Sequence, residues 1–211
     1  MNAYDRIYLE DAMSNLAVML DYGSIVYGNP EIIFERFLTS DISRQFEVGN
    51  PLYVSGMSGI ELAERVIGET GGEPVNLQYR RPVMSAEYWA GWALAYIQWY
   101  TGLPFIRLKD FGVDVVYMIS LYPAYHEADI TKLVETVTQR IKELKIILPN
   151  SLKRQRMLAG MTQKELSHNS GVKLRMIQAY EQGYQDIRKA EVQSVYNLSR
   201  VLKCPIENLI Y

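Results

Sequence analysis

Apolar residues recur every three to four positions along most of this chain, which is the spacing of one face of an α-helix. Between Tyr4 and about Tyr22 they fall at Leu9, Ala12, Met13, Leu16, Ala17 and Leu20. Asn29-Pro30 opens a second run with Ile32, Ile33, Phe34, Phe37 and Leu38, since proline suits a first helical turn. Ser58 and Glu61 stand at capping-box spacing and start a helix that runs to about Gly68. Gly71, Gly72 and Pro74 then break the periodicity, and the stretch through Pro82 reads as irregular. Ser85 to Tyr100 spells the aromatic helix SAEYWAGWALAYIQWY, and Leu103 to Tyr122 holds one or two short helices. Asp129 caps ITKLVETVTQRIKELKII, a helix that stops at Pro149.

From Ser151 onward the pattern predicts five short helices. SLKRQRMLAG is closed by Gly160, and Thr162 and Glu165 form a capping box that opens QKELSHNS. Gly171 supplies a tight turn, Val172 points inward, and LRMIQAYEQ follows, closed by Gly183. KAEVQSVYNLSRVLK and PIENLI complete the set. Leu152, Leu158, Met161, Leu166, Val172, Ile177, Tyr180, Ile187, Leu198, Leu202 and Leu209 supply one apolar face per helix. The predicted fold is all-α: a helical domain over 1–149 and a five-helix domain over 150–211, with Pro149 and Asn150 as the boundary.

Charge sharpens that division. Residues 1–149 carry 12 Lys+Arg against 19 Asp+Glu, a net −7, while residues 150–211 carry 10 against 5, a net +5. An acidic body with a basic tail is the asymmetry of a nucleic-acid module joined to another domain.

The segment TQKELSHNSGV, followed by Ile177 and the Tyr180-Glu-Gln-Gly183 end, closely resembles the helix-turn-helix of Xre/Cro-type, lambda-repressor-like regulators. LSRVLKCPIENLI looks like that family's closing helices, and the resemblance covers about 60 of the 211 residues. It implies that the helix from Leu174 lies in the major groove of double-stranded DNA, its N-terminal residues toward base edges. Periodicity buries Ile177 and Tyr180 and turns Lys173, Leu174, Arg175, Gln178 and Ala179 outward.

Arg175 then suits guanine O6 and N7, and Gln178 suits adenine. Lys173 has two readings, a guanine or a phosphate. Leu174 either touches a thymine methyl or serves as a dimer or domain contact. Gln163 matches the family position that clamps a phosphate, with Thr162 beside it. Arg188 and Lys189 are either contacts to the opposing phosphate strand or plain surface charge. The resemblance further implies a structural ion pair between Arg156 and Glu181.

The first 149 residues carry little recognisable chemistry. Trp89, Trp92, Tyr96 and Trp99 follow core spacing, and Ala90, Gly91, Ala93 and Ala95 leave room for a neighbouring helix. His126, Glu127 and Asp129 read as hydrogen bonding at a helix start, since no second histidine of that domain completes a metal pair. GNPLYVSGMSG lacks the lysine and spacing of a phosphate loop. No metal, cofactor or catalytic constellation is expected.

One cysteine excludes an internal disulfide framework. With no leader pattern and no long apolar run, the protein is expected in the cytoplasm, away from the membrane. The sequence thus reads as a DNA-binding regulator, a repressor acting as a homodimer on a two-fold operator. Its first domain would serve dimerisation, a small-molecule effector or a protein partner. The alternative is an antitoxin or adaptor whose first domain binds a partner protein while the helix-turn-helix autoregulates the operon.

Overall fold

The computed structural model describes residues 2–73, 75, 77, 79, 85–147 and 151–210. The expected boundary at Pro149 and Asn150, and Pro74 and Pro82 of the irregular stretch, lie outside these residues. Every regular element among the described residues is helical, so the chain is all-α. It divides into two compact units, Met1–Ile141 and Lys142–Tyr211.

The first nine helices are α1 (Leu9–Tyr27), α2 (Pro30–Thr39), α3 (Asp41–Glu47), α4 (Pro51–Val54), α5 (Gly59–Glu69), α6 (Ala86–Thr101), α7 (Phe105–Asp110), α8 (Val115–Tyr125) and α9 (Ile130–Ile147). The division between units falls within α9. The central helix is α1, packed against α2, α5 and α6. It starts later and runs further than its apolar spacing suggests. Asp5 accepts the Ile7 N–H at 3.0 Å and caps a 3-10 turn over Arg6–Tyr8 instead. At the far end the helix continues past Tyr22 to Tyr27, where Gly28 ends it with φ 66°.

Small residues let α6 lie close on α1. A Cβ on Gly91 would stand 2.6 Å from the Leu16 carbonyl oxygen and 2.7 Å from the Ala17 Cα. Trp89 and Trp99 on α6 are buried, Trp92 and Tyr96 are half-buried, and Tyr100 is exposed. Tyr88 is buried although it lies off the expected stripe. A second aromatic cluster joins Phe37, Phe46 and Phe105, with ring centroids 5.3–6.1 Å apart. Beside it the largely buried Glu47 accepts the Phe105 N–H at 2.6 Å.

The second unit contains α10 (Ser151–Leu158), α11 (Gln163–Ser170), α12 (Leu174–Glu181), a 3-10 turn (Ile187–Lys189), α13 (Val192–Leu202) and α14 (Glu207–Ile210). Its core is Leu152, Leu166, Val172, Ile177, Tyr180, Val195, Leu198, Leu202 and Leu209, with Met161 and Ile187 packed at the edge. Leu158 is not part of that core: it is 74% exposed. It lies six residues after Leu152, which turns it roughly 240° around the helix from the buried face. Val195 takes a core place that the sequence reading left empty.

Candidate nucleic-acid interface

The start of α11 is fixed by reciprocal bonds. Thr162 Oγ1 accepts the Glu165 N–H at 3.2 Å, and the Glu165 carboxylate accepts the Thr162 N–H at 2.7 Å. The Thr162 N–H, with the Thr162 hydroxyl beside it, holds the Glu165 carboxyl below its ordinary range. At the other end Gly171 adopts φ 72°, the left-handed conformation that costs glycine little, and its N–H donates to the Ser167 carbonyl at 3.0 Å. Ser167 Oγ then donates to the Val172 carbonyl at 2.7 Å, so the turn into α12 is held by its own side chains. Val172 enters the core behind it.

On α12, Ile177, Tyr180 and Glu181 are buried. Lys173, at the N-cap, and Arg175 are exposed, while Leu174, Gln178 and Ala179 are half-buried. Arg175 and Gln178 therefore point away from the buried Ile177 face, while Lys173 stands just before the first turn. Leu174 is the most sheltered of the outward set on helical geometry, flanking the buried face.

A buried polar network braces the two helices from below. Arg156 Nε donates to Glu181 Oε1 at 2.7 Å and Nη2 donates to Oε2 at 2.9 Å, a bidentate pair. The Glu181 side chain is only 2% exposed and that of Arg156 12%. The remaining Arg156 nitrogen, Nη1, donates to the Met161 carbonyl at 2.7 Å, one residue before the Thr162 cap. Hydrogen bonding to Glu181 raises the guanidinium above its ordinary value. Gln163 joins the same carboxylate, with Nε2 donating to Glu181 Oε2 at 2.8 Å.

Residues 152–209 match the helix-turn-helix family model. The second unit therefore carries a DNA-binding helix-turn-helix, with α11 and α12 as its two helices. No curated protein and no solved structure matches the chain.

Around the helix-turn-helix the other candidates are placed unevenly. Lys189 is exposed in the 3-10 turn after α12. Arg188 is also exposed, but its Nε and Nη2 donate to the Asp186 carboxylate at 2.8–3.1 Å. Those bonds, with the Arg188 backbone N–H, hold Asp186 down to about 2. A phosphate at Arg188 would have to share the guanidinium with that carboxylate. Asp186 escaped the sequence reading, although an aspartate two residues before a basic residue is the pattern of a local side-chain turn. So did Tyr184, which is 80% exposed. It lines a groove of about 910 Å³ along the Met176–Tyr180 flank of α12, together with Lys173 and Lys189.

In the first unit the remaining candidates resolve into structural roles. Asn15 Nδ2 donates to the Val54 and Met57 carbonyls at 3.0 and 2.9 Å, which ties the glycine-rich segment to α1. His126 ends α8 rather than starting α9. Its Nδ1 lies 2.9 Å from the Tyr122 carbonyl and its ring stacks on Tyr122 at 4.5 Å. The helix start belongs to Asp129, which accepts the Thr131 N–H at 2.8 Å and the Thr131 hydroxyl at 2.7 Å.

Proposed function

We propose that the protein is a sequence-specific transcriptional regulator, acting as a repressor that occupies a two-fold operator as a homodimer. The observation that carries this reading is the outer side of α12. Lys173 and Arg175 are exposed with Leu174 and Gln178 beside them, on a helix locked from behind by Ile177 and Tyr180. In such a geometry two reading helices meet successive major grooves roughly 34 Å apart. Arg175 and Gln178 read base edges, Lys173 a guanine or phosphate, and Leu174 a thymine methyl. Thr162, Gln163, Arg188 and Lys189 hold phosphates and set the register. Promoter occupancy is then the whole activity, and no group transfer is required.

The test is binding of the full chain to duplex DNA across a salt series, with its oligomeric state measured by light scattering. Affinity should fall by about 0.9 log units per neutralised phosphate for each tenfold rise in salt, and the bound species should be a dimer. Salt-independent binding would remove the electrostatic basis of the reading, and a bound monomer would remove the two-fold operator.

The net charge of −7 over residues 1–149 favours a second role for that region. An acidic surface repels phosphate and leaves that domain to a protein partner or a small-molecule effector. In the antitoxin form of this reading the partner is encoded beside this chain. A stoichiometric complex with the neighbouring gene product, made through residues 1–149, would support it. Failure of the two purified proteins to associate would oppose it.

A further inference from the structure

The helix-turn-helix contains one polar connection that neither the fold nor base reading requires. Gln163, the first residue of α11, does not simply extend into solvent. Its Nε2 donates to Glu181 Oε2 at 2.8 Å, and the same oxygen accepts Arg156 Nη2 at 2.9 Å. The carboxylate is fixed in turn, because Arg156 grips both of its oxygens and the Met161 carbonyl. A primary amide carries two N–H groups on one nitrogen. With one of them held by a buried anion, the plane and direction of the other are set before any ligand arrives.

The geometry points to Glu181 as a positioning residue for DNA binding. It holds the Gln163 amide so that the second Nε2 hydrogen is presented to a backbone phosphate, and Arg156 acts through it. The inference rests on the DNA-binding reading of α11 and α12, and deepens it by giving a residue on the far end of α12 control over a contact at the start of α11. The free amide of a glutamine rotates among several rotamers, and ordering it on binding costs free energy. A preset amide has already lost that freedom. The negative charge of Glu181 does not oppose the phosphate, because the Arg156 guanidinium neutralises it within the same network.

The test separates this role from mere support of the fold. Arg156→Met combined with Glu181→Gln removes the ion pair but keeps an acceptor for Gln163. Arg156→Met combined with Glu181→Leu removes the ion pair and the acceptor together. Both are read as full chains binding a mixed-sequence duplex of roughly two helical turns at one fixed salt concentration, since phosphate contacts carry no sequence preference. The Gln variant should keep the wild-type affinity to within about twofold. The Leu variant should bind about fivefold more weakly, the worth of one hydrogen bond, and adding Gln163→Leu to it should change nothing more. Equal affinities for the two double variants would overturn the proposal. A wild type that binds no duplex would overturn the DNA reading itself, so the two failures are distinct. If either double variant fails to fold, the side-chain amide signals of Gln163 in the wild type decide. One proton should be held in the free protein and the other should shift on adding duplex, whereas two freely averaging signals would overturn the proposal.

Discussion

Arg175 stands exposed on α12 two residues before the fully buried Ile177, so the backbone that carries it cannot rotate without emptying the core. Arg175→Ala should cost about 1–3 kcal/mol on the preferred DNA site and relax specificity there, measured by titration against selected and mixed-sequence duplexes. Equal weakening on both would make Arg175 a phosphate contact. Glu47 offers a separate test in the first unit. Burial pushes its carboxyl from 4.5 up to about 7, against the opposing pull of the Phe105 N–H and Arg44. The folded state therefore holds this proton more tightly than the unfolded chain. The resulting stability is complete below about pH 4.5, fades as pH rises, and is lost above about 7, up to about 3 kcal/mol in all. Melting temperatures of wild type and Glu47→Gln should accordingly diverge from pH 5 to pH 8, with the wild type falling relative to the variant. Parallel curves would contradict this.

The approach of α6 to α1 sets two opposing effects against each other at Gly91. Alanine at an interior helical position gains about 1 kcal/mol over glycine in propensity. Here its Cβ would lie 2.6 Å from a backbone oxygen of α1, which cannot move aside as a side-chain tip would. Overpacking of this kind typically costs about 1–3 kcal/mol, so Gly91→Ala should lower the melting temperature. A raised melting temperature would mean that α1 and α6 sit further apart.

The same helices explain what the sequence could convey. Period and caps located α2, α5, α11 and α12, where Asn29, Ser58, Thr162 and Gly171 punctuate clear apolar runs. The short α3 and α4 passed unnoticed, since seven and four residues hardly establish a period. Leu158 was misplaced because hydrophobicity alone cannot say where a helix stops facing its core. At the candidate interface, the sequence could suggest that Arg175 is displayed. It could not reveal that Arg188 is gripped by Asp186 or Gln163 by Glu181, because both depend on side-chain direction.

Taken whole, the chain joins an acidic helical body to a basic helix-turn-helix. In the proposed reading DNA attracts the second and repels the first. An effector or protein captured by the first would reach transcription through its effect on dimerisation or on access to the operator. The central claim is sequence-specific DNA recognition by α12, and selection from a random duplex pool by the full chain tests it most directly. The account predicts enrichment of an inverted repeat whose half-sites lie about 10–10.5 base pairs apart, or a multiple of that, centre to centre. Arg175→Ala should relax the enriched sequence at one position of each half-site. A pool that emerges from selection with no enriched sequence would contradict it.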